Sequence, residues 1–414
     1  MRVVADLHIH SGYARACSKK LTLENINIWC KKKGVGIVSV ADFTHPQRFA
    51  EIEQNLVEVD NSGLYKFKNS ETNVLFIMST ELSLIYRHRD KTRRIHMCVF
   101  LSSLERVKDF NRALAGRGAK LGSDGRPILG RSSKEILEIV REVDDQGFVV
   151  PAHIWTPWFA LFGSKSGYDS LEECFEELTP EIRAVETGLS SSPTMNRRLS
   201  ILDNINLISN SDSHSLPNIG RNANVFDLTK LSYQEVRDGI QNRKSGKLVE
   251  TLEFYPEEGI YHYDGHRKCG VCFLPEQTRK HKGICPKCGK PLTLGVMYRV
   301  EELADRSEKD IHSPSKFTIV IPLQDVIAES LSVGKQSKKV QLIYEEMVRQ
   351  GSNEFNVLLN MTKEELSLIS DPRIAEAILR VRQGKVKLTP GFDGQYGKIE
   401  IFPDKEKKVQ KKLL

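Results

Sequence analysis

A repeated alternation constrains this chain more than any other feature. From the start to about residue 231, short apolar runs alternate with stretches of helical period. The runs cover residues 3–8, 36–41, 74–80, 95–101, 148–152, 184–187 and 205–209. Helix starts stand between several of them. Thr22 precedes Leu23-Glu24-Asn25-Ile26, and Ser132-Ser133-Lys134-Glu135 forms a capping box ahead of residues 136–146. Strands alternating with helices argue for an α/β fold with a parallel sheet or barrel. Seven runs suggest a barrel related to the eight-stranded one.

The ends of these runs carry metal-binding side chains: Asp6, His8 and His10, then Asp42 and His45, Glu81, His153, Glu186, and finally Asp212 and His214. In an α/β barrel, residues at the carboxyl ends of strands converge on one mouth. Alternation along the first run puts Asp6, His8 and His10 on one face. His96 lies near the start of its run. A hairpin accounts for that: if the polar turn over residues 87–94 centres near His88 or Arg89, Glu81 and His96 face each other across an antiparallel pair. Several histidines with Asp and Glu around one mouth imply two or three divalent metals, with Glu81 able to bridge two. Nitrogen and oxygen donors without thiolate suit zinc, manganese or iron, magnesium alone less well; zinc, manganese or magnesium are the ions expected. Phosphoester hydrolysis is the reaction such a cluster fits best, ahead of amide or ring hydrolysis by an amidohydrolase-like barrel. Asp6 is expected to orient a ligand rather than to bind metal.

The 414 residues are enough for two or three domains, and a net charge of +7 permits nucleic-acid binding without requiring it. No apolar run reaches the roughly 18 residues of a membrane span, and the first residues enter a strand pattern with no export signal. The expectation is a cytoplasmic protein with reduced cysteines. Four of the eight cysteines form Cys269-Gly-Val-Cys272 and Cys285-Pro-Lys-Cys288, a spacing that predicts a four-cysteine zinc ribbon holding one structural zinc. Lys280 and Lys282 are among the basic residues that give it a surface for phosphate contact. His266 and His281 are read as solvated, because four thiolates already close the tetrahedron.

The expected division is a metal-dependent barrel over 1–253, the ribbon over 254–298, a connecting segment over 299–333, a helical DNA-binding domain over 334–402 and a basic tail over 403–414. Within the helical part, Thr362-Lys-Glu-Glu365 is a capping box and residues 372–382 form a helix opened by proline. A Gly-rich turn over 390–398, with Lys387 and Lys398, could hold a DNA backbone through main-chain amides; an ordinary helical bundle is the competing reading. Trp155, Trp158, Phe159 and Tyr168 follow the His153 run and can stack a nucleobase, unless Trp158 and Phe159 cap the barrel core. The Gly163-Ser-Lys-Ser-Gly167 loop lacks the spacing of a nucleotide triphosphate site.

Asp6-Leu-His8-Ile-His10-Ser11, Ala41-Asp42-Phe-Thr-His45, Ser79-Thr-Glu81, Pro151-Ala-His153 and Asn210-Ser-Asp212-Ser-His214 resemble the motifs of the PHP (polymerase and histidinol phosphatase) superfamily. Ser123-Asp-Gly-Arg-Pro127, the Trp155-Thr-Pro-Trp158 stretch, the ribbon and Pro390-Gly-Phe-Asp-Gly394 bring the chain closer still to the endonuclease Q family, over nearly its whole length to about residue 402. The resemblance implies a distorted seven-stranded PHP barrel. It further implies a repair endonuclease that nicks DNA on the 5′ side of deaminated bases (hypoxanthine, uracil, xanthine) and of abasic sites. His8, His10, Glu81 and Asp212 would then hold one metal, and Glu81, His96 and His153 a second. His214, with Asp42 or His45, would serve a third. The chain departs from the wider superfamily in having Ala16 or Cys17, and Phe43, where many members have histidine, which puts the third metal in question. Asp212, Glu81 and His153 are the expected catalytic centre, damaged DNA the partner and a monomer the expected state; a sliding clamp is a conceivable partner, although no clamp-binding motif is evident.

Two other readings remain open on sequence. A small-molecule phosphatase of the histidinol-phosphate type explains the barrel but gives the ribbon and helical part no purpose. A non-catalytic DNA-binding adaptor would require lost metal ligands.

Overall fold

The computed structural model describes residues 1–312 and 314–403. The basic tail expected over 403–414 lies outside the described residues from 404 onward. The fold is mixed α/β, and three sheets carry the expected runs. The largest has eight strands in the order Phe317–Ile319, Leu248–Glu253, Ala223–Asp227, Arg2–Asp6, Ile37–Ser39, Leu75–Ile77, Tyr65–Phe67 and Leu56–Glu58. Its centre is parallel, with Arg2–Asp6 beside Ile37–Ser39 and that strand beside Leu75–Ile77. These strands are apolar because both faces are covered: Ile37, Val38, Phe76 and Ile77 are fully buried. A second sheet orders Ile128–Leu129, Ser79–His88, Lys91–Phe100 and Phe148–Pro151. A third pairs Ala184–Glu186 with Asn206–Ile208 in parallel.

Among the described residues the strand ladders do not close into one continuous ring. Side chains and single backbone bonds join the sheets instead. Leu101 N–H donates to Met78 O and Ile154 N–H to Glu186 O. Between Asn206–Ile208 and Arg2–Asp6 two asparagines stand in for a ladder, and a parallel backbone bridge between Ile9 and Ser213 follows just beyond. Asn224 accepts from Ser209 N–H at 2.9 Å and donates to Ala5 O at 3.3 Å, and Asn210 accepts from Leu7 N–H at 2.7 Å. Amide side chains satisfy backbone groups that a neighbouring strand would otherwise satisfy.

The hairpin forms as expected, turning at Arg89 and Asp90, both in the left-handed region. Its register differs by two residues from the expected pairing. Glu81 opposes Cys98, and His96 opposes Ser83. Glu81 and His96 are diagonal neighbours on one face, still within reach of each other.

Helix starts match their sequence signals. Thr22 caps Leu23–Lys33, and Ser132 with Glu135 closes a capping box on Ser133–Val143. The segment 299–333, expected as a connector, has two allegiances. Phe317–Ile319 extends the large sheet. Helix Leu323–Leu331 shares a core with Lys338–Gln350 and Pro372–Arg382 through Leu323, Ile327, Tyr344, Met347 and Ile378. Among the described residues no helix is long and apolar enough to cross a membrane.

Candidate metal centre

The chain leaves its first strand at Asp6, and the next residues build the centre. Asp6 itself is in neither of the two donor groups that form it. Its carboxylate accepts from Ser211 N–H, Ser211 Oγ and Gly220 N–H, which ties the loop carrying Asp212 to the first strand. His8 and His10 follow, both buried. Each imidazole is fixed from behind by a carboxylate. His8 Nδ1 lies 3.0 Å from Glu186 Oε1, and His10 Nδ1 lies 3.1 Å from Asp42 Oδ1. This arrangement sets the tautomer and points the other ring nitrogen inward.

The two inward nitrogens meet Glu81 and Asp212. His10 Nε2 is 3.2 Å from Glu81 Oε2 and 3.1 Å from Asp212 Oδ1; His8 Nε2 is 3.6 Å and 3.7 Å from the same two atoms. His8 Nε2, His10 Nε2 and Asp212 Oδ1 are buried without a hydrogen-bond partner. Buried polar atoms left unpaired are costly, and three aimed at one point fit a cation. On its other oxygen, Glu81 Oε1 lies 2.8 Å from His96 Nδ1 and 3.1 Å from His153 Nε2. Glu81 thus gives one oxygen to each of two donor groups. His8, His10, Glu81 and Asp212 form one group and Glu81, His96 and His153 the other, each with donor atoms within 4.8 Å of one another.

Backbone strain aims several of these residues. Asp42, His153 and Asp212 have φ of 48°, 28° and 46°, a conformation that costs a non-glycine residue about 1–3 kcal/mol. Glycines make room for two of them. A Cβ on Gly188 would come within 2.5 Å of His153 Cβ, and one on Gly125 within 2.5 Å of Asp42 Oδ2.

Burial and neighbouring charges act against each other here. Burial alone would raise the Glu81 carboxyl, yet His96, Arg126 and His8 hold it well below the usual range. Burial would likewise lower His10, but Asp42, Asp212 and Glu81 raise it well above the ordinary histidine value. Burial lowers His96 to about 4 against the pull of Glu81. A histidine must give up the proton on the nitrogen it offers a metal, so divalent ions at these donor groups would compete with protons.

The remaining expected ligands, Asp42, His45 and His214, fall outside both donor groups. Asp42 gives Oδ2 to Ser11 N–H and Oγ while its other oxygen orients His10. His45 stacks on Tyr13, ring centres 4.6 Å apart. His214 is part-exposed, its ring 4.7 Å from that of His10 and its Nδ1 2.8 Å from Asp212 O. Sequence reasoning gave no role to Arg126, which it met only inside the Ser123–Pro127 segment; its Nη1 donates to Glu81 Oε2 at 2.8 Å. It comes from an irregular loop where no periodicity marks a site. Glu186 was visible at a run end, but its double duty, holding His8 and accepting from His153 N–H at 2.8 Å, was not.

A model of the MJ0043 C-terminal domain matches residues 322–385. Protein MJ0043 of Methanocaldococcus jannaschii is 32% identical over 273 residues, 63% of this chain and 34% of that protein. The chain thus spans about a third of that relative's length. Over its whole length it is similar to the lesion-specific endonuclease PfuEndoQ of Pyrococcus furiosus, whose crystal structure gives a TM-score of 0.86 at 29% identity and covers 99% of this chain and 97% of that one. An Endonuclease Q crystal structure, in complex with a 27-mer duplex substrate bearing an abasic lesion at the active site, gives 0.85 at 30% identity, covering 99% and 98%. The chain belongs to the endonuclease Q family.

A cavity of about 420 Å³ opens beside the donor groups of this endonuclease Q family member. His96, His153, Asp212 and Arg126 line one side, and Trp158, Phe159 and Tyr261 make an aromatic wall. Trp158 meets Tyr261 edge to face at 5.7 Å, and Phe159 lies 4.6 Å from the His96 ring. The other two aromatic candidates are not in the wall. Trp155 is fully buried and donates to Asn196, and Tyr168 is buried with its hydroxyl on Tyr86 and His88. Both carry a polar tip that the core satisfies.

The glycine amides of the C-terminal turn, expected to meet a DNA backbone, are taken up internally. Gly391, Gly394 and Gly397 N–H donate to Glu257, Ile260 and Glu258 carbonyls. Lys387 and Lys398 lie 3.5 and 2.9 Å from the Glu400 carboxylate. That turn locks the C-terminal end to the ribbon side. Lys280 pairs with Glu276 at 2.8 Å, and Lys282 is exposed.

In the ribbon, a Cys/His cluster replaces the expected four cysteines. His266, Cys269, Cys285 and Cys288 gather within 4.8 Å, and Cys272 stays outside and exposed.

Proposed function

We propose that this chain is a metal-dependent DNA repair endonuclease that hydrolyses the phosphodiester bond on the 5′ side of deaminated bases and abasic sites. One observation carries the reading: Glu81 divides its two oxygens between two buried donor groups, beside a cavity with an aromatic wall of Trp158, Phe159 and Tyr261. Divalent ions bound there supply an activated water and neutralise charge on the attacking and leaving oxygens. The chain's own residues do the positioning. Glu186 and Asp42 hold His8 and His10 in the ligating orientation. Arg126 is a guanidinium within reach of a phosphate at the mouth of the cavity. Trp158 and Phe159 offer faces on which an unstacked base can lie, offsetting part of the few kcal/mol that extrusion costs. A volume of about 420 Å³ is in the range of pockets that take a small ligand.

Two ions follow from the two donor groups. His214 is the residue best placed for a third, since Asp42 and His45 are engaged elsewhere. The three sheets, bridged by Asn210 and Asn224, are consistent with a distorted barrel whose strand ends converge on Glu81. Damaged duplex DNA is the substrate that the similarity to an Endonuclease Q complex with abasic DNA supports. The full-length match embraces the ribbon and helical module, which a small-molecule phosphatase would leave without a role.

The test uses labelled duplexes containing uracil, hypoxanthine or an abasic site. Wild-type protein is expected to nick them, and Asp212→Ala to leave them intact. A variant that cuts as well as wild type would refute the site assignment. Fast phosphomonoester turnover without DNA cleavage would refute the substrate class.

A further inference from the structure

We propose that the ribbon's structural zinc is held by His266, Cys269, Cys285 and Cys288, three thiolates and one imidazole, and that Cys272 is not a ligand. This stands apart from the nuclease reading, since it concerns only the fold of residues 262–293.

The local sequence repeats when it is aligned on glycine rather than on cysteine. His266-Arg-Lys-Cys269-Gly270 and Cys285-Pro-Lys-Cys288-Gly289 share one pattern: a donor, two residues, a cysteine, then glycine. Both glycines are left-handed, with φ of 62° and 70°, a conformation in which a side chain would be strained. Both amides turn back into their own loop, Gly270 N–H to Arg267 O at 3.0 Å and Gly289 N–H to Cys285 O at 2.9 Å. The two segments are copies in sequence pattern and in their left-handed glycine, while the glycine amide reaches the second residue of one and the first of the other. Taking Cys269 and Cys272 as the first pair would put Phe273 where the second copy has its glycine.

Strand geometry excludes Cys272 independently. Asp264–His266 pairs antiparallel with Val271–Phe273, His266 opposite Val271 and Gly265 opposite Cys272. Directly opposed residues share a face and successive residues alternate. His266 and Val271 therefore project together, and Cys272 projects from the other face. Val271 is buried against Cys285 and Leu292 in the ribbon's small core, whereas Cys272 is exposed. Bringing Cys272 to the cluster would require the strand to slip by one residue, turning Val271 out of that core.

The donor spacing fits zinc. A tetrahedron with zinc–sulfur bonds of about 2.3 Å has edges of roughly 3.8 Å. His266 Nδ1 lies 3.6 Å from Cys288 Sγ, and all four donor atoms fall within 4.8 Å of one another.

The decisive experiment labels full-length, zinc-loaded protein with a maleimide under native conditions and maps the modified peptides. Cys272 is expected to be modified, and Cys269, Cys285 and Cys288 to stay protected until a chelator removes the zinc. Protection of Cys272 together with the other three would overturn the proposal. Zinc released by a mercurial, which reports thiolate-bound metal and not the imidazole–carboxylate centre, gives a second readout. Cys272→Ser is expected to keep its one equivalent. His266→Ala is expected to lose it or to hold it at least 10-fold more weakly, with recovery in His266→Cys. Loss of zinc in Cys272→Ser with retention in His266→Ala would equally overturn it.

Discussion

At the residue scale the centre turns on one carboxylate and its competitors. Glu81 Oε2 accepts from Arg126 at 2.8 Å while the same oxygen faces His8 and His10. A guanidinium and a divalent cation cannot both take the whole charge of that oxygen. Arg126→Ala should therefore bind metal at least as tightly as wild type. If Arg126 also steadies the scissile phosphate, the same variant should lose about 10²- to 10³-fold in kcat. Metal titration beside steady-state nicking separates the two effects; weakened metal binding would refute the competition. Most residues of the centre were legible in the sequence, because His8, Glu81, His153 and Asp212 each stand where an apolar run ends. Arg126 was not, since its loop has no period to read. Trp155 and Tyr168 were misread because an aromatic beside a site looks the same in sequence whether its polar tip is satisfied by the core or left to solvent.

At the scale of elements, polar side chains do what ladders do elsewhere. Glu253, at the end of strand Leu248–Glu253, is fully buried and accepts from Thr251 Oγ1 at 2.7 Å, Ser209 Oγ at 2.8 Å and Asn222 Nδ2 at 3.1 Å. Burial pushes its carboxyl up to about 8 from the usual 4.5, against those hydrogen bonds. The folded value exceeds the unfolded one, so the fold keeps a proton that the unfolded chain releases. The stability this confers is complete below about pH 4.5 and is lost as pH rises through 8. Glu253→Gln should unfold at a temperature that varies less between pH 5 and 8 than wild type does, as read by calorimetry; an unchanged pH slope would contradict this. The helices were legible from their caps, and Thr362 with Glu365 and the helix Pro372–Arg382 stand where the sequence put them. The hairpin register was not, because a shift of two residues keeps every side chain on the same face and leaves the apolar pattern unaltered.

At the scale of the whole molecule, the helical module is fastened to the first domain by a buried ion pair. Lys33 Nζ, from helix Leu23–Lys33, lies 2.8 Å from Glu354 Oε2, with both side chains almost wholly buried. Glu354 also accepts from Tyr344 Oη and Leu323 N–H, each at 2.9 Å. Glu354→Ala would leave Lys33 buried and unpaired, at a cost of about 3–5 kcal/mol. Denaturant unfolding should show that loss, and limited proteolysis should show earlier cleavage between the two units; wild-type stability would contradict it. The basic composition of the ribbon and C-terminal turn was visible in sequence. That the glycine amides of the turn are paired within the protein was not, since Gly391, Gly394 and Gly397 meet Glu257, Ile260 and Glu258, more than 100 residues away.

The most direct measurement is a metal titration of stripped protein against matched duplexes, one with a single abasic site and one undamaged, resolved on a sequencing gel. The expected result is no cleavage without added divalent metal and a single nick on the 5′ side of the lesion when metal is restored. The undamaged duplex should stay intact, and Asp212→Ala should be inactive at every metal concentration. Cleavage without metal, or equal cleavage of the undamaged duplex, would contradict a lesion-specific metal centre built on Glu81.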